Sequence, residues 1–165
     1  MTDYTVKLVD FNQRWFDKYN MEKLKLHEAL CSLPHEIEHI GSTSIPNTTA
    51  KPIIDIAIRL ESLKLVTRLI PPLSKLSYAY RGEYGLAGRH FFVKGNPKEF
   101  HLHIVDHTTD HWQKWIKFRD ILKSNETLKQ QYIELKQKLA EKYALQREKY
   151  TEAKTEFINS IVDPL

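Results

Sequence analysis

His39-Ile40-Gly41-Ser42-Thr43-Ser44-Ile45-Pro46, followed by Lys51-Pro52-Ile53-Ile54-Asp55-Ile56, decides the fold of this chain. It reads as an apolar strand, a Gly-Ser turn into a brief helix, and a second apolar strand that carries one carboxylate. Glycine lets the backbone approach an anion, and Ser42, Thr43 and Ser44 offer hydroxyls and N–H groups beside it. Asp55 falls mid-strand between Ile54 and Ile56, where an unpaired carboxylate would be costly to bury. Facing the turn, it could hold a divalent cation that bridges phosphates.

Outward from this stretch the pattern alternates between helix and strand. Trp15, Tyr19, Leu26 and Leu30 recur at helical spacing over residues 12–30, a run that Pro34 ends. Residues 36–40 read as a strand. The near-continuous apolar run over residues 53–60 suits a strand covered on both faces. Residues 63–76 fit a helix kinked at Pro71-Pro72. Three more strands are expected over residues 78–81, 90–94 and 100–105, the last two joined by the turn Gly95-Asn96-Pro97. Beyond Asp106 the chain turns helical: residues 109–122, then a helix capped by Ser124 or Asn125, then one starting at Thr151 as N-cap. The fold class is α+β, a single domain with a small mixed β-sheet flanked by helices and a helical C-terminal third.

Composition bounds the function. The 165 residues are 41% hydrophobic and 28% charged, as in a soluble globular domain. No apolar run is long enough to cross a membrane, and Met1-Thr2-Asp3-Tyr4 does not open a secretory signal. Cys31 is the only cysteine; it suits a reducing cytoplasm and reads as a small buried residue near a helix end. The net charge is +4, and from Ser124 onward seven Lys/Arg face seven Asp/Glu, so the excess lies upstream. Lys75, Arg81, Arg89, Lys94 and Lys98 are opposed over residues 75–98 only by Glu83. That basic run suits an anionic ligand such as a nucleotide, and no nucleic-acid-binding motif accompanies it.

His101 and His103 alternate with Leu102, so both imidazoles face one side of a strand. If that strand neighbours the one bearing Asp55, an Asp and two His could hold a transition metal. The alternative is that the histidines hydrogen-bond within the sheet, or bind phosphate when protonated. His39, and Glu38 on the opposite pleat, are further candidates. Lys51, at the mouth of the Asp55 strand, can reach a phosphate. Arg89, after Gly85-Leu86-Ala87-Gly88, can grip phosphate or carboxylate with two N–H groups.

The Gly-Ser string, with Gly85 to Phe92, His101-Leu102-His103, Phe118-Arg119-Asp120, Tyr132…Leu135-Lys136 and Tyr150-Thr151-Glu152-Ala153-Lys154, closely resembles the GrpB family. The resemblance covers nearly the whole chain, 1–165, and implies a nucleotidyltransferase-like fold. In that superfamily two acids one residue apart on a strand, and a third on a later strand, hold the metals. Here Asp55 takes the first position and Ala57 falls at the second, so the acidic site is degenerate. The resemblance implies a nucleotide- or phosphate-ligand-binding protein. Asp55 would be catalytic, and Gly41, Ser42, Thr43, Ser44, Lys51, Arg89 and Lys154 would bind ligand. Mg²⁺, Mn²⁺ or Zn²⁺ would sit on Asp55, His101 and His103, with a nucleoside triphosphate as ligand. Arg119, Lys136 and Lys154 would close the far side of the cleft, with Tyr132 or Tyr150 stacking on a base. The other reading is a non-catalytic partner or folding-support module for dephospho-CoA kinase, to which GrpB-like domains are fused in some bacteria. Where the family usually continues with Gly after Pro46, this chain has Asn47, which tolerates the left-handed conformation.

Overall fold

The computed structural model describes residues 6–163. The residues read above for a leader lie outside them. The elements run α1 (Arg14–Ala29), β1 (His35–Ile40), β2 (Ile54–Leu60), α2 (Ile70–Lys75), β3 (Tyr78–Tyr80), β4 (His90–Lys94), β5 (Phe100–Val105), α3 (His111–Ser124), α4 (Glu126–Lys142) and α5 (Arg147–Val162). Short 3₁₀ turns cover Ser42–Ser44 and Leu63–Arg68. Pro71 and Pro72 therefore do not kink a long helix. They occupy the first turn of α2, where their missing N–H groups cost nothing.

The five strands form one mixed sheet in the order β1-β2-β5-β4-β3, with β2 and β5 parallel and the other neighbours antiparallel. One face buries Ile54, Ile56, Ile58, Leu60, Leu102, Ile104 and Phe92 against α1, α2 and the 3₁₀ turn after β2. Each such side chain contributes about 1.5–3 kcal/mol when fully buried. The opposite, front face carries Asp55, Ala57, His101 and His103 under α3, with Ala57 packed against Ile40, Val105 and Trp112. The alternation of β2 and β5 thus sends hydrocarbon to one side and polar groups to the other.

The helical third packs on the turn after β1. Ile45 joins Phe118, Leu122, Tyr132 and Val162 in a second apolar cluster. Val6 joins Leu139 and Tyr150 in another, its N–H donating to Ala144 O at 3.0 Å. Asn125 caps α4, its Oδ1 accepting from Leu128 N at 3.0 Å. Helix α5 starts at Arg147, one turn before the expected Thr151, whose hydroxyl instead donates to Arg147 O from inside the helix. Cys31 is exposed rather than buried. Asn47 takes φ +60°, as its place in the turn requires.

Candidate functional site

Parallel pairing of β2 with β5 sets Asp55 opposite His101 and Ala57 opposite His103. Asp55 and the two histidines therefore meet on the front face. His103 Nε2 lies 2.9 Å from Asp55 Oδ1, and His101 Nδ1 lies 3.6 Å from the same oxygen. Arg89 Nη1 lies 3.3 Å from His103 Nδ1. Arginine only donates, so Nδ1 accepts and the ring proton sits on Nε2, donating to Asp55. Burial raises the Asp55 pKa, but the neighbouring His101 and His103 imidazoles together outweigh it and hold the carboxyl well below the usual range. Burial lowers His103, with Asp55 opposing and Arg89 and His101 adding to the depression, so the imidazole is neutral.

Gly41 brings the turn against this carboxylate. Its φ is +72°, and a Cβ there would stand 2.7 Å from Asp55 Oδ2. Of the three hydroxyls after it, that of Ser42 is only half-buried and shares a 3.2 Å hydrogen bond with Tyr132 OH. Thr43 and Ser44 are buried, bonded to His39 Nε2 at 2.9 Å and Gly41 O at 2.5 Å. His39 points to the back face, stacked 4.6 Å from Tyr19, and burial pushes it down to about 4. It is a packing residue, not a companion of Asp55.

Arg89 is heavily committed. Its Nη2 donates to Glu83 O and Tyr84 O at 3.0 and 2.9 Å, and its plane covers Phe91 at 4.6 Å. It thereby ties the glycine loop to the sheet, helped by His111 Nε2, which donates to Ala87 O at 2.8 Å. Arg119 is also engaged, with Glu38 at 2.8 Å and His39 O at 3.0 Å, so it bolts α3 to β1 rather than closing the cleft. Lys94 pairs with Glu22 at 2.7 Å, a residue of α1, so the basic run of residues 75–98 is not one surface.

The cations that converge come from elsewhere. Lys136, only 1% exposed, donates to Thr49 O and lies 4.6 Å from the Tyr132 ring centre. Lys51 and Lys154 share the Tyr150 ring at 5.3 and 5.4 Å. No carboxylate among the described residues forms an ion pair with any of the three. Burial, then Lys154 and Lys51, pushes Lys136 down to about 6. Burial, then Lys154 and Arg147, pushes Lys51 down to about 7, with Asp55 the one opposing charge. Tyr132 and Tyr150 are 2% and 1% exposed, so neither ring is free to stack on a base; their faces carry the lysines. Charge counting along the helices concealed this group. The spacing Tyr132-x-x-x-Lys136 and Tyr150-x-x-x-Lys154 carries the signal, since it places ring and amine on one helical face.

The metal expectation meets a definite geometry. Asp55, His101 and His103 have suitable donor chemistry; Asp55 and His103 are engaged with each other and with Arg89, while the buried Nε2 of His101 has no hydrogen-bond partner. Among the described residues no three His, Cys, Asp or Glu are spaced around a point that an ion could occupy. Ala57, fully buried beneath Trp112, supplies no second acid. The residues present do not fit a two-metal centre.

The model of the GrpB family, described as GrpB protein, matches residues 5–163. The chain belongs to the GrpB family. A glutamate-rich protein GrpB of Alkalihalophilus pseudofirmus is 33% identical over 97% of this chain and 95% of its own. The UPF0157 protein YqkA of Bacillus subtilis is 33% identical over 94% of this chain, which spans 46% of that relative. The crystal structure of GrpB from Enterococcus faecalis superposes with a TM-score of 0.80 at 28% identity, covering 93% and 98% of the two chains. A Cid1 poly(U) polymerase bound to MgATP matches at TM-score 0.57 and 13% identity, over 80% of this chain and 44% of that one. At that identity the likeness shows the fold alone, and the fold is the nucleotidyltransferase-like one. In this GrpB-family chain no described helix is long and apolar enough to cross a membrane.

Proposed function

We propose that the protein binds the phosphate groups of a nucleotide, or of a similar phosphate ester, between the front face of the sheet and helices α4 and α5. The observation that carries this reading is the trio Lys51, Lys136 and Lys154, gathered beside Tyr132 and Tyr150 with no carboxylate among the described residues to pair them. Burying like charges together destabilises a fold, and such arrangements concentrate where a ligand of opposite charge joins them. Ser42 adds a hydroxyl from the opposite wall, hydrogen-bonded to Tyr132. Asp55, aligned by His103, offers an acceptor for a hydroxyl of the same ligand.

Binding, rather than transfer, is the extent of the proposal, because one carboxylate and a buried Ala57 give no second acidic metal ligand. Calorimetric titration with ATP, CTP, GTP and UTP tests it, in EDTA and with Mg²⁺, Mn²⁺ or Zn²⁺. Wild type should bind at least one of them, and Lys154→Met should weaken that binding tenfold or more. Absence of binding under every condition would overturn the reading and favour a protein-partner role, with dephospho-CoA kinase the first partner to try.

A further inference from the structure

The charge arrangement around the lysines specifies more than an anion, granted that the cleft is a phosphate site. Lys136 on α4 faces Tyr132 of its own helix, Lys154 of α5, and Lys51 and the Thr49 carbonyl from the segment before β2. Lys51 faces Tyr150, Lys154 and Arg147 of α5, Asp55 of β2, and Lys98 of the turn between β4 and β5. Lys51, Lys136 and Lys154 form no ion pair with a carboxylate of the described residues, and Asp55, the one acid that acts on Lys51, already accepts the Nε2 proton of His103. We propose that the anchoring group of the ligand is a terminal, doubly charged phosphate, and that Lys51, Lys136 and Lys154 hold it with protons drawn from solvent instead of with a metal ion.

The unliganded site is short of protons. Burial and mutual repulsion push Lys136 down to about 6 and Lys51 down to about 7, so both amines hold their protons far less firmly than an ordinary lysine. A phosphate dianion arriving beside them reverses the local field and favours the ammonium forms. Each neutral amine that gains a proton from water or buffer becomes an N–H donor with full charge, and no bond of the ligand breaks. A cation carried in on the phosphates would add positive charge to a site that has no spare carboxylate. A diester phosphate, with a single negative charge, would recruit less.

Titration in EDTA, at about pH 7.5, in three phosphate-free buffers of different ionisation enthalpy reads this directly. The probes are inorganic pyrophosphate, AMP, ADP and ATP, with cyclic AMP as the singly charged diester. The slope of observed heat against buffer ionisation enthalpy should show net uptake, roughly half a proton or more per ligand, falling towards zero below about pH 6 as the lysines enter the reaction already charged. Cyclic AMP should bind at least tenfold more weakly than AMP. Lys136→Arg, which stays protonated, should keep binding but lose part of the uptake. Lys136→Met should lose affinity tenfold or more while its circular dichroism shows it folded. Binding with no proton uptake, binding only with a divalent cation, or equal affinity for AMP and cyclic AMP would each overturn the inference and leave the cleft a nucleotide site. No binding of any probe, with or without metal, would overturn both.

Discussion

Arg89 and His103 meet at 3.3 Å, guanidinium Nη1 to imidazole Nδ1, and the guanidinium decides which ring nitrogen carries the proton. Since Arg89 can only donate, His103 is held as the Nε2–H tautomer aimed at Asp55. Replacing Arg89 by Met removes both the donor and a nearby positive charge. The His103 pKa should then rise, and ¹⁵N–¹H correlation spectra of the ring should show mixed tautomers or imidazolium near neutral pH. An unchanged Nε2–H spectrum in Arg89→Met would mean that Asp55 alone fixes the tautomer.

Restoring the missing acid should not restore a metal centre. Ala57 has no exposed surface and sits among Ile40, Val105 and Trp112. A carboxylate there would be buried without a partner, so Ala57→Asp should cost about 2–4 kcal/mol in denaturant unfolding. Calorimetry should show no gain in Mg²⁺ or Mn²⁺ affinity. A stable variant that binds either ion would show that the site can rearrange around a second acid.

Gly41 is fixed by two independent demands, its φ of +72° and the 2.7 Å approach a Cβ would make to Asp55 Oδ2. Gly41→Ala should therefore lose about 1–3 kcal/mol of stability and shift the Asp55 carboxylate away from His103. Chemical denaturation measures the first. The second shows in the His103 ring shifts, which should move even at temperatures where the variant is fully folded.

The lysines make stability depend on pH in a definite direction. Lys136 and Lys51 have folded pKa values below that of an unfolded lysine, so the unfolded chain binds more protons in between. Their destabilisation is fully present below about pH 6, is relieved as pH rises, and is gone above the ordinary lysine pKa. Unliganded wild type should gain stability between about pH 6 and pH 9, and Lys136→Met should flatten part of that rise. At pH 6 the variant should be more stable by about 1–3 kcal/mol, since an apolar chain replaces a buried charge. Thermal midpoints across that range, measured without phosphate, check both.

Much of this architecture was legible because local pattern and tertiary role agree. The alternation in Phe100–Val105 puts His101 and His103 on one face of their strand, while their meeting with Asp55 depends on the parallel pairing of β2 with β5, which no local pattern carries. The hydroxyls after Gly41 were legible only as a composition. Which of them turns inward depends on His39 and Tyr132, residues 4 and 90 positions from their partners. Thr151 offers a plausible helix cap, yet the helix starts earlier because Tyr150 has to be buried against Val6 and Leu139. The lysine group draws on the segment before β2, α4 and α5, so summing charge along the chain dilutes it to neutrality. Arg89 looks free in sequence because its partners are backbone carbonyls and a histidine ring, which no charge count registers, and Arg119 because one of its carboxylates, Glu38, lies 81 positions away.

The strand-like segment at the start of the described chain ties the helical third to the sheet. Val9 and Ala50 exchange two backbone hydrogen bonds of 2.9 and 3.0 Å, while Val6 is fastened to Ala144 between α4 and α5. Lys136, reaching across to Thr49, adds a third stitch on the same seam. The helical wall is therefore laced to the sheet wall, not hinged on it as a separate lobe. Parting the helical third from the sheet would break all of these contacts at once.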